Sequence, residues 1–538
     1  MINYINPVKI IKMEGDILFP DNLLINKELQ IGLNESIYTV FKNECSILLD
    51  FGKEYAGGIR ILVCNHQNDE VKLKVRFGES ISEALTNVGE KNSTNDHAVR
   101  EFVINTTNLS DMRIGNTGFR YVYISKITKN IDLQVKSIVA ASEFTDKICI
   151  GSFQCDDELI NQIYETAKYT VQLCMQNGYI WDGVKRDRLV WIGDLHPEFL
   201  SLNCLYNNLD EVKNSLLFVY KQSSLPSWMN GIPMYSMWWL IILNEYVKTS
   251  KDYNILDELK DYIINLTKQI CSHINDEGIT SFPYNFIDWP STENSDLLAG
   301  INALSVICLE NSLELLHAID YSVINELVDK KIASLKKISY KDITSKQIMA
   351  LYAISRNNYN DITLNVLTNN GCEGFSTFMS YYILKAIFLS GGKNKSINLM
   401  KEYYGAMLEL GATTFWEDFD ITWKNNVFGI NELPVSNKKD IHGDFGKYCY
   451  LGFRHSLCHG WSSGPVAFIT KYIAGIDDSK INEDIIYIKP YLGDLNRVFL
   501  SYPTKYGVIK VEHIKKDNNE IYTNVVNPKE IKIILKEE

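Results

Sequence analysis

Residues 156–178 read DDELINQIYETAKYTVQLCMQNG, and here the chain changes its period. Leu159, Ile160, Ile163, Tyr164, Ala167, Val171 and Leu173 recur at helical spacing. Asp156 or Asp157 can accept the first free amide hydrogens as an N-cap. Upstream the period is two. Val71, Leu73, Val75 and Phe77 alternate with Lys72, Lys74 and Arg76, as in a strand with one wet face. Runs beginning at Cys45, Gly58, Arg100, Phe119 and Asp132 are similar and are separated by polar turns. Residues 1–148 are therefore read as a β-sandwich.

Downstream, helical spacing continues to about residue 475, with further helices expected to start near 197, 232, 253, 296, 320, 341, 359, 373, 395 and 456. That is about eleven or twelve helices of ordinary length, joined by Trp-rich loops. Such a run in 149–475 points to a closed helical toroid. After about residue 480 alternation returns in DIIYIKP, NRVFLSYP, GVIKVEHIKK, EIYTNVV and EIKIILKEE. Ile509, Val511 and His513 share one face. Residues 476–538 are read as a β-domain too small to hold a core alone, so it is expected to pack on the helices.

Composition narrows the function. Of 538 residues, 46% are apolar and 22% charged, a balance that excludes disorder as the main state. A net charge of -12 repels a phosphate backbone, so no nucleic-acid partner is expected. The longest strongly apolar stretch, Met234–Leu243, is far short of the roughly 20 residues of a membrane span. The N-terminus has no apolar signal core and no cleavage site, so no signal peptide is expected. The eleven cysteines form no CxxC pair and no zinc-spaced cluster. They read as free thiols of a reducing, cytoplasmic setting. No phosphate-binding Gly loop, HExxH or EF-hand spacing occurs, so neither cofactor nor metal is expected. Nothing in the sequence sets the oligomeric state.

The densest chemistry lies in 181–198, WDGVKRDRLVWIGDLHPE. Asp182, Asp187 and Asp194 stand among Lys185, Arg186 and Arg188, with Trp181 and Trp191 beside them. Carboxylates accept hydrogen bonds from sugar hydroxyls and indoles stack on apolar sugar faces. Taken alone the stretch reads equally well as a salt-bridge network, and Asp194 equally well as a helix cap. In GATTFWEDFDITW, 411–423, Glu417 follows Trp416 in a turn between helices, which suits a general base or an acidic helix end. HSLCHGWSSGP, 455–465, adds His459, a pocket or a core histidine. FIDWP supplies Asp288 and Trp289. SMWWL supplies Trp238 and Trp239, which face different ways on a helix, so one of them can be core. A closed ring of helices would gather these loops at one end. Glycoside hydrolysis needs a proton-donating carboxyl and a second carboxylate across the scissile bond.

Several segments occur in a characteristic order: GNTGFRYVYI, DGVKRDRLVWIGD, FIDWP, GATTFWEDF, SLCHGWSSGP and KPYLGDL. With them the chain resembles the bacterial α-L-rhamnosidases over most of its length. The resemblance implies a multidomain protein with a central (α/α)6 barrel flanked by an N-terminal β-sandwich and a small C-terminal β-domain. It implies an inverting exo-glycosidase acting on terminal, non-reducing α-L-rhamnose, with a rhamnose-containing oligosaccharide or glycoside as partner. Asp182 and Asp194 would hold sugar hydroxyls, with Arg186 and Trp191 beside them. Asp187 falls at the acid position and Glu417 at the base position. Trp238, Asp288, Trp289, Trp416 and His459 are expected to line the pocket. The family acid is commonly Glu, one methylene longer than Asp187. Compensation by the local backbone is the reading preferred here. The alternatives are a glycosidase for another terminal deoxyhexose and a catalytically impaired carbohydrate-binding protein. The chain is short for the family, which favours a small soluble substrate over a polymer.

Overall fold

The computed structural model describes residues 2–66, 70–518 and 520–536, so Glu537 and Glu538 of the last expected strand lie outside the described residues. The N-terminal region is one antiparallel nine-stranded sheet: β1 (Ile2–Ile5), β2 (Lys9–Glu14), β3 (Ile17–Leu18), β4 (Thr39–Phe41), β5 (Cys45–His66), β6 (Val71–Gly78), β7 (Glu101–Thr106), β8 (Asp111–Lys126) and β9 (Leu133–Glu143). The strands of the expected sandwich all join one hydrogen-bonded network. β5 and β8 are long enough to serve both halves, with register shifts between Asp50 and Tyr55 and between Gly57 and Ile59. The alternating residues of β6 behave as expected: Val71, Leu73, Val75 and Phe77 are buried, in one apolar cluster with Ile47, Leu49, Ile59 and Ile61. A five-residue helix, α1 (Ile81–Leu85), follows β6 and is capped by the Ser80 hydroxyl.

The helical region contains α2 (Glu158–Cys174), α3 (Leu195–Asn203), α4 (Asp210–Gln222), α5 (Pro233–Ser250), α6 (Asn254–Ser272), α7 (Leu297–Ala318), α8 (Asn325–Lys337), α9 (Lys346–Arg356), α10 (Asp361–Thr368), α11 (Ser380–Leu389), α12 (Lys393–Glu409) and α13 (Pro465–Phe468). Asp157 caps α2, its carboxylate accepting from the Ile160 amide at 3.1 Å. α4 has no counterpart among the expected helix starts. α3 packs on α5, α5 on α7, α7 on α9, α9 on α11, α11 on α13, and α13 on α3. The others pack against these: α2 on α3 and α13, α4 on α5, α6 and α8 on α7, α10 on α9 and α11, and α12 on α11 and α2. α5 and α7 are buried on most faces, whereas α6 and α8 bury one stripe each, as surface helices do.

α7 corrects the reading of apolar stretches. Among the described residues it is the one helix long and apolar enough to cross a membrane. Most of it is buried between α5, α6, α8 and α9, where such a composition serves a protein core.

The C-terminal strands Arg497–Thr504, Gly507–Lys515 and Ile521–Val526 form a sheet whose other edge is Ser152–Cys155. The start of the 149–475 segment is thus hydrogen-bonded to the end of the chain. Ile509, Val511 and His513 share the buried face, and Val498, Leu500, Ile509 and Val511 belong to the same apolar cluster as the helices. The small β-region packs on the helical domain, as its size requires.

Candidate active site

The N-terminal sheet grips the loops that carry the motifs. Arg120, on β8, is paired with Asp50 at 2.9 Å and donates to the Gly411 carbonyl at 3.1 Å. The Glu54 amide donates to the Thr413 hydroxyl at 3.0 Å. Gly118 lies so close to the 181–198 loop that a Cβ there would meet the Lys185 amide nitrogen at 2.9 Å. Lys185 runs the other way, its buried ammonium 3.0 Å from Glu79 and 3.2 Å from Glu83. It also donates to the carbonyls of Phe453 and His455, at 2.9 and 2.5 Å. Glu79, Glu83 and His442 stand close enough to share a metal ion, but the Lys185 ammonium already supplies the cation.

Held this way, two distant motifs converge. The Arg186 guanidinium donates to Asp187 Oδ1 at 2.9 Å and, with its other arm, to Glu417 Oε1. Glu417 Oε2 accepts from the Ser456 amide at 3.1 Å. The Glu417 carbonyl is fixed by the Trp461 indole at 2.9 Å and the Thr377 hydroxyl at 2.6 Å. His459 Nε2 lies 3.8 Å from Asp182 and 3.9 Å from Glu417. Asp182 accepts from the Leu189 amide at 2.9 Å, closing the loop, while its carbonyl accepts from the Gly460 amide at 2.7 Å. Asp187 and Arg188 both take left-handed backbone, at φ 54 and 59.

Asp194 starts α3 but does not cap it. Its carboxylate instead accepts from the Tyr235 hydroxyl at 2.7 Å. Gly193 makes that contact possible, because a Cβ there would fall 2.2 Å from the Tyr235 ring. Trp191 is half-buried, edge-on to the same ring at 6.1 Å.

Burial dominates the electrostatics. It pushes the Asp194 carboxyl up to about 8, helped by Asp187 and Glu417 and opposed by the Tyr235 hydrogen bond and Arg186. It also pushes Asp182 well above the carboxylate range, with Asp187 and Asp194 adding to the shift. The Glu417 carboxyl is raised by burial, while Arg186 and the Ser456 amide pull it back. The His459 imidazole is driven far below its usual range by burial and by Arg186, so it is neutral at ordinary pH.

Asp182, Arg186, Asp187, Asp194, Glu417 and His459 therefore form one cluster. The other expected residues sit apart from its hydrogen bonds. Asp288 caps the turn Trp289–Ser291, and its oxygens accept from Ser291 and, at 2.6 Å, from Ser376. Trp289 stacks on Tyr448 at 5.7 Å. Trp238 is buried on α5, stacked on His196 at 4.8 Å. Trp416 is buried edge-on to Phe419 at 5.5 Å and to His455 at 6.4 Å. Sequence reading missed three residues of the cluster's surroundings. Tyr235 was masked by the neighbouring tryptophans. Glu198 is buried one turn after Asp194, and its carboxyl is raised far above its usual range by burial. His97, from the N-terminal region, lies with Nδ1 3.1 Å from Asp187 Oδ1. No local sequence pattern marks it.

Comparison with known proteins agrees with this architecture. Residues 149–307 match the bacterial alpha-L-rhamnosidase 6 hairpin glycosidase domain, and residues 42–141 match the bacterial alpha-L-rhamnosidase concanavalin-like domain. The fold is similar to a crystal structure of a GH78 family rhamnosidase from Bacillus sp. GL1, with TM-score 0.75 and 18% identity, covering 96% of this chain and 56% of that one. It is also similar to a rhamnosidase from Klebsiella oxytoca with rhamnose bound, with TM-score 0.66 and 19% identity, covering 87% of this chain and 95% of that one. An alpha-L-rhamnosidase of Formosa agariphila is 30% identical over 80 residues, which is 15% of this chain and 8% of that protein. The chain thus spans only part of the first of these structures and a small fraction of the Formosa protein. It shares the fold of the GH78 rhamnosidases. Its two matched domains are those of the bacterial α-L-rhamnosidases.

Proposed function

We propose that this chain is an exo-acting α-L-rhamnosidase that inverts the anomeric carbon, built on an (α/α)6 barrel. The helix neighbours support the barrel: α3, α5, α7, α9, α11 and α13 form a closed cycle of contacts, with six partners packed against them. One observation carries the chemistry. Two carboxylates more than two hundred residues apart, Asp187 and Glu417, are held by one guanidinium.

In this reading Asp187, the less buried of the two, donates its proton to the glycosidic oxygen as the C1–O bond breaks. Glu417 takes a proton from the water that forms the new C1–O bond on the opposite face. Burial makes Glu417 a stronger base than a solvated glutamate, while Arg186 opposes its neutralisation. Asp182, Asp194 and neutral His459 hold sugar hydroxyls. With its carboxyl near 8, Asp194 is protonated at neutral pH and can donate a hydrogen bond as well as accept one. Asp182, Asp194, Glu417 and His459 are each 3% exposed, which suits a pocket that takes one terminal sugar.

A panel of nitrophenyl glycosides tests the assignment. The α-L-rhamnoside should be cleaved, with other deoxyhexosides and α-D-mannoside at least about 10-fold slower, the discrimination one methyl supports. Glu417→Gln should lower kcat by roughly 10²-fold or more and still bind rhamnose. Wild-type-like turnover by that variant, or preference for another glycoside, contradicts the reading.

A further inference from the structure

The loop between β6 and β7 contains GEKNSTNDHAVR, residues 89–100, and belongs to the N-terminal sheet domain, yet it is fastened to the helical domain. The Phe453 amide donates to the Lys91 carbonyl at 3.0 Å. Lys91 pairs with Asp444 at 2.6 Å, and Arg454 pairs with Asp96 at 2.9 Å. On the loop's own side the Arg100 amide donates to Asn95 at 3.1 Å, and the Arg100 guanidinium to the Phe77 carbonyl at 2.9 Å. These contacts hold His97 in left-handed backbone, at φ 64, where a non-glycine residue is uncommon. Its ring then lies between two carboxylates, with Nδ1 3.1 Å from Asp187 Oδ1 and Nε2 3.6 Å from Asp96 Oδ2. The His97 side chain is 32% exposed and that of Asp187 16%, so the imidazole meets solvent more than the acid it faces.

We propose that His97 is the proton-supplying positioning residue of the acid: it returns to Asp187 the proton spent in each turnover. This rests on the reading of Asp187 as the acid. After Asp187 has protonated the leaving oxygen it remains a carboxylate beside Arg186. Protonated His97 passes its Nδ1 proton to Asp187, leaving neutral imidazole, which takes a proton from solvent. One solvent proton enters per cycle, matching the one Glu417 removes from water. The charged groups facing His97 are Asp96 on its own loop, Asp187 and Arg186 before α3, and Arg454, which holds Asp96.

The test pairs kinetics with a readout that needs no turnover. For His97→Ala, kcat on a nitrophenyl α-L-rhamnoside should fall about 10-fold or more with KM within about twofold. Added imidazole should restore several-fold of the loss, as the site is open to solvent, and should not rescue Asp187→Asn. Unchanged kcat, or a loss that imidazole leaves untouched, overturns the proposal. Independently, the NMR chemical shifts of the His97 ring at one fixed pH should change in Asp187→Asn, because the ring faces that carboxylate at 3.1 Å. Unmoved ring resonances overturn the pairing even with kinetics intact. If wild-type protein cleaves no rhamnoside, the functional reading fails, and the ring resonances alone decide whether His97 faces Asp187.

Discussion

At residue 187 the backbone explains the side chain. φ is 54 there, and aspartate tolerates left-handed geometry better than longer residues because its short carboxylate can bond locally. It also reaches Arg186 and His97 without a further methylene. Asp187→Glu is therefore expected to lower kcat by roughly 10–100-fold through displacement of the carboxyl. A rise in kcat on the same rhamnoside would show that aspartate under-reaches. Asp194 offers a pH signature. Its folded-state pKa of about 8 lies above the unfolded value, so the folded state binds the extra proton. The stability this contributes is complete below about pH 4 and is lost as pH rises towards about 8. Asp194→Asn removes that dependence. Its thermal midpoint relative to wild type should rise from pH 5 to pH 9, by at most roughly 5 kcal/mol in free energy. A constant difference contradicts the burial argument. The motif residues were legible because Asp182, Arg186, Asp187 and Asp194 are contiguous and dense in charge. His97 was not, because a polar loop in a β-region carries no periodic signal.

At the scale of elements, the decisive joint is the buried pair Glu79 and Glu83 around Lys185. Glu83 lies on α1 and Glu79 just before it, while Lys185 belongs to the loop entering α3. The ammonium offsets two carboxylates taken out of water, and burial pushes Glu79 up to about 7 even so. Lys185→Met should cost about 3–5 kcal/mol at pH 7, because buried Glu79 loses its counter-ion and Glu83 keeps only Arg100, at 3.7 Å. The loss should shrink towards pH 5, where the Glu79 carboxyl, already raised to about 7, is protonated more cheaply. Thermal denaturation at the two pH values checks this, and a pH-independent or negligible loss would refute it. Element reading from sequence succeeded where the apolar stripe is dense, as in α2, whose cap was expected at Asp156 or Asp157 and lies at Asp157. It failed at α4, whose buried stripe of Val212, Ser215, Leu216 and Val219 is narrow and interrupted by a serine. It also underrated α7, where Gly300, Asn302 and Ser305 break up an otherwise apolar run, although all three are buried.

Across the whole molecule, the two β-regions have different jobs. The C-terminal sheet shares the helical core and takes Ser152–Cys155 as its edge, a pairing of residues about 350 positions apart that no local pattern announces. The N-terminal sheet keeps its own core and sends charged groups into the loops that build the cluster. The order sheet, helices, sheet was readable from the period changes alone. The convergence of Asp187 and Glu417 was expected only from the resemblance and the closed ring, because no period announces loops brought together by tertiary packing. That convergence bears most directly on function. A proton NMR time course of a nitrophenyl α-L-rhamnoside with the wild-type protein tests it in one measurement. The expected result is β-L-rhamnose as the first product, with the α-anomer appearing later by mutarotation. The α-anomer first would contradict the assigned roles of the two carboxylates, and no rhamnose at all would contradict the activity itself.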